Sequence, residues 1–82
     1  MRIQVTQEDI DNGEASVSTC CPVALALQRS FSNFECWMGV TMMSKGDGSL
    51  SKAPNDVVNF ARSFDKGHKV EPFEFDYPEE NL

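Results

Sequence analysis

Cys20, Cys21, Cys36 and His68 are the residues of this 82-residue chain whose types could hold a metal or run covalent chemistry. Four such side chains could complete a tetrahedral zinc site, but structural zinc sites space their cysteines as C-x₂₋₄-C, and the adjacent Cys20-Cys21 doublet does not. A thiol nucleophile is the other chemistry on offer. Cys20 or Cys21 falls at a helix N-terminus, where the dipole favours thiolate, and His68 could serve as the base. Nothing in the spacing brings His68 to either one. Free cysteine is among the most buried residue types, so all three are expected to pack, with no metal, no cofactor and no enzymatic role. An odd count, with two cysteines adjacent, also fits reduced intracellular thiols better than a disulfide framework.

Two further motifs suggest ligands and do not complete them. Asp9, Asp11 and Gly13 resemble the start of a calcium loop, yet an EF-hand needs its glycine at the sixth position and a bidentate Glu at the twelfth, where this chain has Cys20. Gly46-Asp47-Gly48 lacks the Lys-Ser/Thr and the helix start of a phosphate loop and reads as a hairpin turn.

The elements that would position these residues are clearer. Cys21-Pro22-Val23-Ala24-Leu25-Ala26-Leu27 is the organising stretch, a helix of roughly residues 20–31 with Thr19 or Cys20 as N-cap, Pro22 in the first turn and Arg29 in the last. Val23, Ala26, Leu27 and Phe31 form one stripe, Leu25 points elsewhere, and the apolar surface covers more than half the circumference. Such a helix must be packed on more than one side, and truncating Leu25 or Leu27 is expected to cost roughly 2–5 kcal/mol. Upstream, Arg2 to Val5 alternates as a strand. Thr6-x-x-Asp9 reads as a capping box for a short helix over residues 7–12, with Asn12-Gly13 as a left-handed stop.

Downstream, Phe34 to Met43 reads as one strand with Phe34, Cys36, Met38, Val40 and Met42 on the core face and Trp37, Gly39, Thr41 and Met43 on the other. Lys45 to Gly48 turns the chain, and Ser49 to Ser51 returns antiparallel. Pro54 opens an amphipathic helix with Val57, Phe60, Ala61 and Phe64 on its apolar side and Lys66-Gly67 at its end. Val70 to Tyr77 is a strict alternation in which Phe73, Phe75 and Tyr77 face inward and Glu74 and Asp76 face water. Pro72 places that strand at an edge. Pro78 to Leu82 is a short, frayed acidic tail.

Residues 1–82 therefore make one small α+β domain with a single modest core. The expected architecture is an antiparallel sheet of three to four strands with two main helices on one face, in ferredoxin-like β-α-β-β-α-β order with the first and last strands side by side. No apolar run approaches the ~18 residues of a membrane span, and no basic region precedes an apolar one as in a secretory signal.

Thirteen acidic against seven basic residues give a net charge of −6. Glu8, Asp9, Asp11 and Glu14 load one end, Glu71, Glu74, Asp76, Glu79 and Glu80 the other. Direct nucleic-acid binding is disfavoured because counterion release needs a basic face, whereas a basic protein surface is an acceptable partner. The ordinary role of such charges is solvation. The sharper one is a carboxylate array competing with nucleic acid for a basic groove, since Glu74 and Asp76 on one strand face stand roughly 6–7 Å apart. Trp37 is either packed on a two-sided strand or an aromatic anchor of a binding surface.

Three stretches carry a resemblance. Ile3-x-Val5-Thr6 before an acidic helical turn, Cys21 to Leu27, and the Phe64 to Phe75 span with its F-D-x-G and V-E-P-F-E-F pieces resemble small bacteriophage and prophage proteins. These pieces cover most of the chain but consist of packing and capping residues, so the resemblance implies an origin and not a reaction. Small acidic phage proteins of this kind look like inhibitors of host defence complexes, anti-CRISPR proteins among them, that act by binding. The expectation is thus a non-enzymatic viral accessory protein of the host bacterial cytoplasm. It would dock Trp37, Glu71, Glu74, Asp76, Glu79 and Glu80 on a basic host protein, such as a nucleic-acid-binding defence complex, as a monomer or homodimer. The alternatives are a module that sequesters a small molecule or signalling nucleotide, and a cysteine-dependent enzyme.

Overall fold

A computed structural model of the chain describes residues 2–78. In chain order the elements are β1 (Arg2–Val5), α1 (Gln7–Asn12), α2 (Pro22–Phe31), β2 (Trp37–Met38), β3 (Met42–Ser44), β4 (Ser51–Lys52), α3 (Asn55–Asp65) and β5 (Phe73–Asp76). The chain is α+β, and its first and last strands pair antiparallel, Ile3 opposite Phe75 and Gln4 opposite Glu74. The strands between them do not join that pair. They form a separate antiparallel sheet in the order β2-β3-β4, so two sheets of two and three strands stand where one ferredoxin-like sheet was expected.

The division follows from what happens inside Phe34 to Met43. The expected single strand is instead a hairpin: the Gly39 N–H donates to the Met42 carbonyl at 2.7 Å, leaving Val40 and Thr41 as its tip. Gly39 makes the bend because the Trp37 ring closes over it, so a Cβ there would meet Trp37 Cζ3 at 3.2 Å. Glycine inside a strand pattern marks a bend or a close approach. The face assignment therefore fails in part: Cys36, Met38 and Met43 are buried, while Phe34 and Val40 stand exposed by 88% and 72%. The return expected over Ser49 to Ser51 comes later, as β4 over Ser51–Lys52, with Ser51 opposite Met43 and Lys52 opposite Met42.

The central helix begins one residue after Cys21, which takes the N-cap position without a side-chain cap, and ends at a left-handed Ser32. It lies against α1, β1, β2 and α3, the packing on several sides that its breadth of apolar surface required. Val23, Ala24, Ala26 and Leu27 are fully buried; Leu25 is half-buried, contrary to the equal weight expected for it and Leu27. Its core partners include Ile3, Val5, Met43, Val57, Phe75 and Tyr77.

The short first helix has its expected capping box. Thr6 Oγ1 accepts from the Asp9 N–H, and Asp9 Oδ2 accepts from the Thr6 N–H at 2.9 Å. Its end differs from expectation, because Gly13 is extended (φ −73°) and not left-handed. Glycine is required there for space: a Cβ would lie 2.7 Å from the Pro22 ring that starts α2. In α3, Val57, Phe60 and Ala61 are buried and Phe64 half-buried. Gly67 at φ +80° then closes the helix, a conformation glycine adopts without steric cost.

Aromatic rings tie the end of α2 and the start of the Lys45 turn to the chain just past β5. Phe31 meets Tyr77 edge-on at 5.3 Å, and Lys45 Nζ, one residue past β3, stands 5.9 and 6.0 Å from those two ring centres, within cation–π range. Phe60 of α3 contacts Phe73 at 4.7 Å and so covers the inner side of β5.

Candidate functional site

The pairing of β1 with β5 builds a charged surface. Ile3, Val5, Phe73 and Phe75 turn inward, so Arg2, Gln4, Glu74 and Asp76 share the outer face. Arg2 lies directly opposite Asp76 and diagonal to Glu74. Its Nε donates to Glu74 Oε1 at 3.0 Å and its Nη1 reaches Asp76 Oδ1 at 3.2 Å. One guanidinium thus bridges both carboxylates across the ladder, with all three side chains exposed to solvent. Hydrogen bonds to Glu74 and Asp76 hold the Arg2 guanidinium above its already high ordinary range. The pairing also alters the expected array: two carboxylates and one guanidinium carry a net charge of −1, not −2.

The other anticipated residues do not all join this face. Glu71 is exposed on the approach to β5. Trp37 stands on the separate β2-β3-β4 sheet, half-buried, on the outer side shared with Met42 and Lys52 and beside a shallow recess that includes Leu50. Glu79 and Glu80, and with them most of the anticipated acidic tail, lie outside the described residues.

A second feature escaped the sequence reading. Leu25, Gln28, Arg29 and Ser32 of α2 and its cap, Glu8 and Asn12 of α1, and the exposed Phe34 line an open groove of about 550 Å³. Asp9 and Arg29 form its floor, where Asp9 Oδ1 and Oδ2 accept from Arg29 Nη1 and Nη2 at 2.6 and 3.0 Å. The available signal was Leu25, an apolar residue off the main stripe of its helix.

Two of the three thiols are poorly placed for covalent chemistry. Cys21 and Cys36 are buried, and burial pushes both thiols up, away from the thiolate a nucleophile requires. Cys36 Sγ donates to the Lys45 carbonyl at 3.1 Å and serves as a packing and hydrogen-bonding group. His68 is exposed on the turn after Gly67. Among the described residues no three His, Cys, Asp or Glu side chains converge as metal ligands do. Asp9, offered as a calcium ligand, has both oxygens occupied by Arg29 and the Thr6 N–H. In the Gly46–Gly48 turn Asp47 Oδ1 accepts from the Ser49 N–H at 3.0 Å, and the hydrogen bonds from Ser49 hold that carboxylate below the usual range. A carboxylate closing this turn opposes phosphate there.

No helix among the described residues is long and apolar enough to cross a membrane. No protein-family model, curated protein or solved structure matches the chain.

Proposed function

We propose that this chain is a non-enzymatic phage accessory protein that inhibits a host antiviral system, of the anti-CRISPR kind, by docking its acidic β1–β5 face on a basic protein surface. The observation that carries the reading is the placement of Glu74 and Asp76, both exposed, on one side of a strand whose alternate residue Phe75 is buried in the core. Carboxylates anchored in that way keep their spacing when a partner approaches, so less side-chain freedom is lost on binding. Arg2 uses Oε1 of one and Oδ1 of the other and leaves the second oxygen of each available to a partner's cations. The phage origin rests on the resemblance of the Ile3 to Thr6, Cys21 to Leu27 and Phe64 to Phe75 stretches.

The test is competition on a purified nucleic-acid-binding defence complex. Binding should displace the nucleic acid and weaken steeply between low and physiological salt, where the screening length shortens to ~8 Å. Salt-independent binding would remove electrostatic docking from the account.

A second reading, a module that sequesters a small molecule, is favoured by the Leu25–Phe34 groove. Its charged lining is Glu8, Asp9 and an Arg29 already paired with Asp9, which suits an uncharged or cationic apolar compound better than an anionic nucleotide. Calorimetric titration with nucleotides and with cationic amphiphiles separates the two.

A further inference from the structure

The outer edge of β5 has a feature that the side-chain face alone does not require. Among the described residues β5 has β1 as its one strand neighbour. On β1 the Gln4 carbonyl accepts from Arg29 Nη2 at 2.8 Å and the Thr6 N–H donates to Asp9, so the even-numbered residues of β1 turn their backbone groups away from β5. In an antiparallel ladder the residue opposite such a position also turns its groups outward. Gln4 faces Glu74 and Arg2 faces Asp76. The N–H and C=O of Glu74 and Asp76 therefore point to the free edge, and among the described residues no backbone partner reaches them. The same parity puts Pro72 and Pro78, neither with an N–H, at the two ends of that edge.

The geometry points to an antiparallel docking site on this edge for an extended, basic segment of the partner, with the pairing window set by Pro72 and Pro78 to Glu74 and Asp76. This inference rests on the electrostatic docking proposed above and names its mode. The occupant follows from charge. A residue hydrogen-bonded opposite Glu74 or Asp76 projects its own side chain on the same face, where it meets a carboxylate whose second oxygen Arg2 leaves open. Lysine or arginine fits there. A second copy of β5 would set Glu74 and Asp76 against their own kind, and like charges directly opposite are destabilising. Charges and prolines on an edge are devices against indiscriminate strand pairing, and only a cationic strand turns the first of them into an attraction.

The test uses the wild-type chain and the synthetic peptide acetyl-Lys-Val-Lys-Val-Lys-amide, read by amide chemical shifts and exchange. Saturable shifts confined to Phe73–Asp76, with slowed exchange of the Glu74 and Asp76 amides, are expected. Methylating the peptide nitrogens of the lysines, which would face β5, should weaken binding by about tenfold or more through lost ladder bonds, while methylating those of the valines should not. Equal binding of the two methylated peptides, or shifts elsewhere, would overturn strand addition. A glutamate peptide that bound as well, or self-association of the chain through β5 in sedimentation, would overturn the choice of occupant. The two proposals fail separately. If Glu74→Gln with Asp76→Asn abolishes inhibition yet the peptide protects no amide, docking by charge stands and edge pairing falls. Peptide pairing in a chain without antiviral activity would give the reverse.

Discussion

Asp9 and Arg29, twenty residues apart in the chain, meet as a fork in which both carboxylate oxygens accept from the two terminal guanidinium nitrogens. Asp9 is 4% exposed and also caps α1 through the Thr6 N–H, while Arg29 Nη2 donates in addition to the Gln4 carbonyl. One ion pair thus ties the end of β1, the start of α1 and the last turn of α2. Its partial exposure on the Arg29 side places it between surface and buried pairs. Asp9→Ala should cost about 2–3 kcal/mol in urea denaturation, from the lost cap and the lost charged hydrogen bonds. Arg29→Lys cannot donate as a fork and should cost about 1 kcal/mol. A double-mutant cycle giving no coupling between positions 9 and 29 would deny the tie.

Leu27 and Leu25 should part company. Leu27 has no exposure, and its truncation to Ala should cost roughly 2–5 kcal/mol by transfer and cavity terms. Leu25, half-buried beside the groove, should cost about 1 kcal/mol on the scale of partial side-chain burial. Amides from Val23 to Leu27 should be the slowest to exchange. Exchange there as fast as in the Lys45 to Gly48 turn would remove α2 from the centre of the fold.

Much of this architecture was legible because local chemistry and tertiary structure agree. Thr6 and Asp9 carry their cap in four residues, and the alternation from Phe73 to Tyr77 states which side faces inward. The broken strand was not legible, because Phe34 to Met43 is rich in apolar and β-branched residues and only Gly39 interrupts it. That signal was present and was outweighed by its neighbours. The Arg2 and Arg29 pairings depend on which strands and helices meet, and no local pattern encodes that. The site shared this division: Glu74 and Asp76 were readable as exposed carboxylates, but the halving of their charge by Arg2 and the exposure of Phe34 appear only once β1 has found β5 and the 34–43 run has folded on itself.

The Tyr77 hydroxyl is buried without a hydrogen-bond partner among the described residues, although the ring packs on Phe31. Tyr77→Phe keeps the ring and removes the unsatisfied group, and should raise stability by about 1 kcal/mol. A loss of that size in thermal or urea denaturation would show that the hydroxyl is satisfied in solution.

The three free thiols should differ in reactivity. Cys21 and Cys36, with raised pKa from burial, hold less thiolate at neutral pH than an ordinary thiol, and their reactivity should rise only as pH climbs further. Titration with a disulfide reagent on the folded chain should modify half-exposed Cys20 first, with the others following on denaturation. Chelator should leave the thermal midpoint in place. Rapid alkylation of Cys21 at neutral pH would revive a thiol enzyme.

The central claim is that fixed carboxylates on β5 carry inhibition, and it is tested most directly by phage plating on a defended bacterial lawn that expresses the chain. The wild-type chain should restore plaques. Glu74→Gln with Asp76→Asn should lose most of that effect and Glu74→Lys with Asp76→Lys should lose all of it, with circular dichroism confirming that each variant is folded. Plating restored to wild-type level by the lysine variant, together with its loss on replacing Trp37, would contradict the account and move the interface to the β2-β3-β4 sheet.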